Sequence, residues 1–505
     1  MRVIHFSGLA ILALVRSSVA AAVQSNESSF SADAARYRWA PGTVISYKGS
    51  PDFRQATERW DIYKPPTYSV AITPAVEADV ATAVKLARQQ KVPLLATGGR
   101  HGISTTLAKM QGGVAIDLSK LNSISIDKKA VTITVGPGVR FGDVYEPLYK
   151  AGFQIQTGTA TCPGMIGVTL GGGIGRLDGL QGLVLDALVS ARIVLANGTL
   201  LEVSKTSNPD LFWGVQGAGQ NFGVVTSATY KVQPLYKGGI WTSVDLIVPI
   251  EKNLSYFKAV SGMLPMPADL TVQTTAVYNT TLKRTQLLSS LVYAGPKEAG
   301  LKAMAPILNL GPFPFQNVST LALDKLNENA MFQANAAICV KQQIFDVYGF
   351  NLKTFDVPTM VSVVRKMSDF FDTQPAARKS ALLLETWPNQ AVMAVPDDAT
   401  AYPWRDATTY GRGLIEEIRQ IELRWDTPGD PVEAAANSLG RDVRAALAAT
   451  SGYGNLTVYV NYAWGDESLE SIYGAKKLPR LARLKAQYDP SNVFQFYHAL
   501  PTSYP

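Results

Sequence analysis

Residues that build metal sites and disulfide scaffolds are scarce in this chain. Its 505 residues include two cysteines, Cys162 and Cys339, and three histidines. Two cysteines exclude a disulfide-rich scaffold, and no Cys/His cluster has the spacing of a zinc site. The two thiols could pair, although they lie in segments whose composition indicates different domains. We expect no resident metal, so the chemistry has to come from other residue types.

Charge clusters and long apolar runs are also missing. Charged residues make up 17% of the chain, and the 47 lysines and arginines behind the net charge of +7 are scattered. Scattered basic residues do not form the patch that nucleic acid requires, so no nucleic-acid partner is expected. Beyond the first 20 residues, the sequence contains no run of about 18 apolar residues, so no membrane-spanning helix is expected.

The N-terminus has the pattern of a secretory signal over residues 1–20. Arg2 supplies a positive charge, Phe6 to Val15 are mostly apolar, and Ser18-Val19-Ala20 offers small residues for cleavage. A cytosolic N-terminal helix is the alternative. Six Asn-x-Ser/Thr sequons fit the secretory route, at Asn26, Asn197, Asn253, Asn279, Asn317 and Asn455. We therefore expect a secreted or secretory-pathway glycoprotein.

Hydrophobic periodicity indicates alternating helices and strands from Pro74 onward. The predicted elements up to residue 232 are a helix over Val76–Gln90, strands over Val92–Ala96, Val114–Leu118 and Val131–Val135, a helix over Phe141–Ala151, a hairpin of Leu188–Leu195 with Leu200–Val203, and a strand over Val224–Val232. Residues 240–455 lack glycine clusters and alternate strand-like runs with amphipathic helices such as Thr409–Trp425. The last segment predicts a strand over Leu456–Ala463 and a helix over Leu478–Tyr488.

Three glycine-rich turns stand out, at Gly98–Gly102, Gly167–Gly175 and Gly217–Gly223. Glycines let backbone N–H groups approach a phosphate, and the first turn also carries His101. None of them is a nicotinamide-binding turn: the third misses the required spacing by one position and leads into a strand, and Arg176 takes the last glycine position of the second. No Walker pattern follows a glycine loop. Together the turns indicate an extended phosphate-bearing cofactor.

The turn Gly98-Gly99-Arg100-His101-Gly102 resembles that of the berberine-bridge-enzyme-like flavoproteins, which belong to the vanillyl-alcohol-oxidase and p-cresol-methylhydroxylase class. Further motifs of that family agree in order along the chain, at Ile116–Asn122, Gly167–Gly175, Asp210–Thr226, Tyr459–Tyr462 and Tyr488–Phe494. The resemblance implies an α+β fold, with a two-subdomain FAD-binding domain of the p-cresol-methylhydroxylase type. It also implies an α+β substrate domain, an antiparallel sheet covered by helices.

The resemblance also implies the division of the chain and its flavin contacts. We expect a signal peptide over 1–20, an N-terminal segment over 21–64, an FAD-binding domain over 65–238, a substrate-binding domain over 239–455 and a C-terminal return to the FAD domain over 456–505. In the family, the histidine matching His101 is bonded to the 8α-methyl carbon of FAD. The other implied contacts are Gly98, Gly99, Arg100, Gly102, Ser119, Gly164, Gly167, Thr169, Gly172, Gly173 and Val224.

A second flavin bond through Cys162 is an open alternative. Some relatives bond a cysteine to flavin C6, but an ungapped alignment puts Ala160 at that place and Cys162 two residues late. A buried or paired thiol is the competing interpretation. His498 stands where the family has other C-terminal contacts, which it could replace unless it is simply exposed.

The catalytic base is expected from the strand that carries Tyr459 and Tyr462, although tyrosines on a strand more often pack in a core. Glu385, flanked by apolar residues, is a third candidate; its alternative is a carboxylate at a strand edge. The function implied is a monomeric FAD-dependent oxidase that transfers a hydride from a small molecule, such as a secondary-metabolite intermediate, to flavin N5, with O₂ as acceptor. The alternatives are an oligosaccharide oxidase, and a flavin-bearing binding protein or non-oxidative cyclase.

Overall fold

The computed structural model describes residue 30, residues 32–411 and residues 422–505. The first sheet has four strands, β1 (Val44–Tyr47), β2 (Tyr68–Thr73), β3 (Leu94–Thr97) and β4 (Gly113–Asp117), in the order β1-β2-β4-β3. Strands β2, β4 and β3 are parallel, and β1 is antiparallel to β2. Helix α1 (Pro51–Thr57) follows β1. Helix α2 (Glu77–Gln89) buries Val80, Val84 and Ala87 against the sheet, which confirms the predicted helix.

The second sheet is antiparallel and has the order β5-β6-β10-β8-β9. The strands of this region are β5 (Ile124–Asp127), β6 (Thr132–Val135), β7 (Phe153–Gln154), β8 (Leu188–Val194), β9 (Leu200–Ser204), β10 (Val224–Lys231) and β11 (Gln233–Pro234), of which β7 and β11 form a separate pair. Its helices are α3 (Phe141–Ala151), α4 (Met165–Gly171), α5 (Asp178–Gln181) and α6 (Pro209–Ala218). The predicted β8–β9 hairpin is confirmed.

The third sheet is a nine-stranded antiparallel sheet. Its main path is β15-β12-β14-β13-β18-β19-β17, and β20 joins β16 to β18. The strands are β12 (Ile240–Pro249), β13 (Leu270–Asn279), β14 (Arg284–Tyr293), β15 (Phe315–Ala322), β16 (Asp346–Val347), β17 (Asn351–Leu352), β18 (Ala381–Thr386), β19 (Thr409–Gly411) and β20 (Glu422–Leu423).

Helices cover one face of the third sheet. The helices of this part are α7 (Asn253–Gly262), α8 (Lys297–Leu308), α9 (Leu323–Asn329), α10 (Asn335–Ile338), α11 (Val357–Thr373), α12 (Gln390–Met393) and α13 (Val432–Ala449). Helices α7, α8, α11 and α13 share one apolar core with β12, β13, β14 and β18. This arrangement confirms the predicted α+β fold, with an antiparallel sheet covered by helices.

The strand predicted over Leu456–Ala463 is wrong. Residues Val460–Tyr462 form a 3₁₀ turn, and the backbone around it bonds to scattered partners rather than to a neighbouring strand. The Val458 N–H donates to the Ser471 carbonyl at 3.0 Å, and the Tyr459 N–H donates to Asn351 Oδ1 at 3.1 Å. The apolar residues that suggested a strand are buried instead against the FAD-binding part. Helices α14 (Leu469–Tyr473) and α15 (Leu478–Tyr488) follow, and α15 confirms its prediction.

The helix predicted over Thr409–Trp425 is also wrong where it can be checked. Its two described ends belong to β19 and β20, because Thr409 pairs with Thr386 and Leu352 across the sheet. The intervening residues 412–421, and the expected signal peptide over 1–20, lie outside the described residues. Among the helices that the structure describes, none is both long and apolar enough to cross a membrane.

Candidate active site

The histidine turn follows β3 and touches two neighbouring loops. A Cβ on Gly98 would lie 2.1 Å from the Pro137 carbonyl oxygen, and one on Gly99 would lie 2.2 Å from the backbone nitrogen of Gly164. Both positions therefore require glycine. Arg100 takes a left-handed φ of 61° and places its guanidinium 3.7 Å from the carboxylate of Asp117 at the end of β4. These contacts fix the turn that carries His101.

A crevice of about 220 Å³ runs along this turn. Eight of the predicted flavin contacts line it: Gly98, Gly99, Arg100, His101, Gly102, Gly164, Gly167 and Val224. At Gly167 no atom lies within 4 Å of the position that a Cβ would take, so this wall is open to a bound group. Glycine-rich backbone around an elongated crevice suits the pyrophosphate and ring system of FAD. The residues that line the crevice therefore fit FAD.

Four other predicted contacts have different places in the structure, outside the lining of the crevice. The Ser119 hydroxyl donates to Asp117 Oδ2 at 2.9 Å, and the Thr169 hydroxyl donates to the Met165 carbonyl at 2.8 Å. Gly172 approaches the rings of two tyrosines too closely for a side chain, and the Gly173 N–H donates to the Tyr459 hydroxyl at 2.8 Å. These residues support the walls around the site.

The possible flavin bond of Cys162 is corrected by the structure. Its sulfur is bonded to that of Cys339, so both cysteines of the chain are paired. The bond joins the loop before α4 to the residue after α10. A disulfide sulfur cannot also bond to flavin C6. The composition had placed the two cysteines in different domains, and the disulfide links those two parts of the chain.

Arg59 lines the crevice and donates through Nη2 to the Gly102 carbonyl, although nothing in the sequence singled it out. Gln220 lines it from the third glycine turn, and Tyr497 lines it from the C-terminal segment. Trp60 lies beneath the histidine turn. The region 21–64 has no hydrophobic period, so no pattern could single out Arg59 or Trp60. The motif around Tyr488–Phe494 could have indicated the nearby C-terminal contacts.

The three predicted catalytic residues come together in one cluster. The Tyr462 hydroxyl donates to Glu385 Oε2 at 3.0 Å, and both side chains are buried. The Tyr459 ring packs edge-on against Tyr462 at 4.8 Å between centroids. All three residues line a cavity of about 30 Å³ whose wall shares Asn461 with the crevice. The candidate proton-transfer groups thus adjoin the candidate cofactor site.

Glu385 lies on a strand in the middle of the third sheet, so the alternative interpretation, a carboxylate at a strand edge, is wrong. Its strand β18 has β13 on one side and β19 and β20 on the other. On β13, Gln273 Nε2 donates to Glu385 Oε1 at 3.4 Å, and Arg176 Nη2 donates to Gln273 Oε1 at 3.1 Å. Burial lowers the pKa of Arg176 to about 10, which leaves the guanidinium charged at neutral pH. Gln273 therefore bridges the buried, charged guanidinium of Arg176 and the carboxylate of Glu385.

His498 is buried, which excludes the exposed alternative. Burial lowers the pKa of His498 to about 3, so the imidazole is neutral at physiological pH. It lies outside the lining of the crevice, which is formed there by its neighbour Tyr497. The His498 carbonyl accepts a hydrogen bond from the Tyr473 hydroxyl at 2.9 Å. The residue holds the C-terminal segment in place.

The fold and this site define a flavin-dependent oxidoreductase. A family model described as an FAD binding domain matches residues 68–204, and one described as berberine and berberine like matches residues 458–501. The chain is 56% identical over 467 residues to the FAD-linked oxidoreductase OXR1 of Pyricularia oryzae, a match that covers 92% of this chain and 90% of that protein. The chain belongs to the berberine-bridge-enzyme-like family of FAD-linked oxidoreductases.

Solved structures share the whole fold at low sequence identity. BBE-like 1 of Physcomitrella patens is 23% identical with a TM-score of 0.79, and the match covers 96% of this chain and 100% of that one. Glucooligosaccharide oxidase of Acremonium strictum, described with 6-S-cysteinyl, 8α-N1-histidyl FAD, is 20% identical with a TM-score of 0.78, covering 95% and 100%. These similarities extend the fold assignment to nearly the full length of the chain.

Proposed function

We propose that this FAD-linked oxidoreductase oxidises an alcohol carbon of a small organic molecule, with the flavin attached to His101 and O₂ as the electron acceptor. The observation that carries the proposal is the buried Tyr462–Glu385 hydrogen bond beside the cofactor crevice. A carboxylate that accepts a tyrosine proton can, through that tyrosine, draw a proton from a bound hydroxyl. The substrate class and its place in secondary metabolism are parts of this proposal.

The residues of the cluster divide the work. When bound, FAD supplies a two-electron acceptor that takes the hydride from the substrate carbon and passes the electrons to O₂. Tyr462 receives the proton of the substrate hydroxyl, and Glu385 receives the proton of Tyr462. Asn461 Nδ2 donates to the Tyr459 hydroxyl at 2.6 Å and to the Val168 carbonyl at 3.0 Å. This pair orients the wall between the substrate cavity and the crevice.

The cavity beside Glu385, Tyr459 and Tyr462, of about 30 Å³, has room for the reacting group of a substrate and adjoins the cofactor crevice at Asn461. The disulfide and the sequons bear on the compartment in which the protein acts. The Cys162–Cys339 disulfide supports passage through an oxidising compartment, as does the exposure of the sequon residues Asn197, Asn317 and Asn455. We therefore include the secretory pathway and glycosylation in the proposal.

Peroxide release and acid precipitation test the proposal together. Purified protein should release hydrogen peroxide with small alcohols and should not do so with a panel of oligosaccharides. After acid denaturation the flavin should stay with the pelleted chain, and the His101→Ala variant should lose it to the supernatant. Oxidation of sugars would favour the oligosaccharide oxidase. A flavin-bearing protein that releases no peroxide with any substrate and shows no flavin reduction would favour a binding protein or a non-oxidative cyclase.

A further inference from the structure

An aromatic stack connects His101 to the substrate domain. Trp60, which is 1% exposed, stacks on the His101 ring with centroids 4.8 Å apart and planes 25° apart. Trp60 also stacks on Phe345, with ring centroids 3.8 Å apart and planes 10° apart. The Trp60 indole N–H donates to the Ile338 carbonyl at 2.6 Å. The Trp60 ring that orients His101 is therefore held by the last residue of α10 and by Phe345 in the segment after it.

The disulfide closes a second connection between the same two places. Cys339 directly follows Ile338, and its partner Cys162 lies two residues before Gly164, which packs against Gly99 of the histidine turn. These contacts form a closed ring. It runs from the histidine turn to the loop before α4, through the disulfide to the end of α10, and through Trp60 back to His101. Opening the disulfide would leave only noncovalent contacts between the loop and that segment.

We propose that Trp60 and the Cys162–Cys339 disulfide position the His101 imidazole for attachment to the flavin, so that closure of the disulfide precedes full covalent attachment. The inference rests on the covalent flavin of the proposed function. Trp60 acts through His101 and is a positioning residue.

The attachment step needs a well-placed imidazole. A C–N bond replaces one C–H bond of the flavin 8α-methyl group and the N–H bond of the imidazole. Two protons leave, and two electrons pass to the flavin ring. O₂ then takes up two electrons and two protons and becomes hydrogen peroxide. Such a step depends steeply on geometry, since a misplacement of about 1 Å can slow a reaction by on the order of 100-fold. A ring free to turn away from the crevice would attach slowly.

The Trp60→Leu variant tests the stack. The full-length variant, saturated with FAD in air, should attach flavin roughly 10-fold or more slowly than the wild type, measured as flavin in the acid pellet over time. The Trp60→Phe variant keeps a ring and should stay within about threefold. Trp213→Leu is the matched control, because Trp213 also donates to a backbone carbonyl, at 2.8 Å, and carries Arg480 at 4.0 Å over its ring, away from His101. It should attach flavin at the wild-type rate.

Wild-type protein made with and without its disulfide tests the second element, and does so even if Trp60→Leu does not fold. Chains from a reducing cytoplasm should bind FAD but hold little of it covalently, and oxidation of the two thiols should raise the attached fraction. A Cys162→Ser/Cys339→Ser double variant should stay low after the same oxidation. Equal attachment rates in all these proteins would overturn this inference and would leave the covalent attachment of the flavin to His101 intact. A wild-type pellet without flavin would overturn the covalent attachment and the inference together.

Discussion

At the scale of single residues, the histidine turn depends on glycines that allow backbones to touch. We expect Gly99→Ala to lose most bound FAD and to lower stability by about 1–3 kcal/mol, because its Cβ would meet the Gly164 backbone nitrogen at 2.2 Å. Flavin content after gel filtration and the thermal unfolding midpoint measure the two effects. Gly262→Ala is the control: no atom lies within 4 Å of its Cβ position, at the exposed end of α7. If both variants kept FAD equally, the tight turn would not be needed.

Another residue-scale property is the pH response of His498. Its pKa falls from 6.5 to about 3 on folding, so between these values the unfolded chain binds a proton that the folded chain does not. The contribution of His498 to the free energy of unfolding is complete above pH 6.5. It is lost as the pH falls toward 3, at up to about 1.4 kcal/mol per pH unit. Asparagine is a suitable replacement, because it tolerates the left-handed φ of 46°.

The comparison of wild type with His498→Asn isolates this group from the other titrating residues. Burial raises the pKa of Asp61 and of Asp178, and these groups change stability in the opposite direction over acid pH. The difference in unfolding free energy between the two proteins, measured in denaturant from pH 7 to pH 4, should shift in favour of the variant as the pH falls. A difference that is independent of pH would contradict the prediction.

At the scale of elements, helix α15 holds the C-terminal segment through a buried ion pair. The Lys485 ammonium donates to Asp489 Oδ2 at 2.7 Å and to the Asn221 and Phe494 carbonyls at 2.9 and 2.8 Å, and both charges are fully buried. Lys485→Met would leave the Asp489 carboxylate buried without its cation. We expect a loss of about 3–5 kcal/mol in unfolding free energy and weaker FAD binding, because Phe494 lines the crevice.

The matched control for this helix is Lys150→Met. Lys150 also forms an i,i+4 pair, with Glu146 in α3, but both side chains are exposed. Water already solvates both partners, so no measurable change in the unfolding midpoint is expected. Equal midpoints for Lys485→Met and Lys150→Met would mean that burial adds nothing to the pair.

The elements also show where sequence reasoning works. Helices α2 and α15 and the β8–β9 hairpin were predictable because their periodicity and turn residues act locally. The 3₁₀ turn at Val460–Tyr462 was not, because its alternating apolar residues are buried by contacts with distant segments rather than by a neighbouring strand. The Trp60 stack was inaccessible, because Trp60, His101 and Phe345 share no sequence pattern. The disulfide, between cysteines 177 residues apart, was open to the sequence only as one alternative for Cys162.

At the scale of the whole molecule, the candidate active site exists only where three parts of the chain meet. Most of the crevice is lined by the part of the chain that forms the first two sheets. Glu385 belongs to the third sheet, and Tyr462 belongs to the C-terminal segment, 77 residues further on. Motifs found the tyrosines and the histidine turn, while Glu385 stood out as one acid in an apolar run. Their contact could not be read from the sequence, because it depends on how the third sheet packs against the crevice.

A double-mutant cycle tests whether this junction works as one unit. Glu385→Gln and Tyr462→Phe should each slow anaerobic flavin reduction by about 100-fold or more, because either change interrupts the same proton path. The double variant should then be little slower than the slower single variant, as for groups that act together. Flavin in the acid pellet should be unchanged in all three proteins, which separates chemistry from cofactor attachment. Multiplicative effects of the two substitutions would show that the two residues act independently and do not form one proton path.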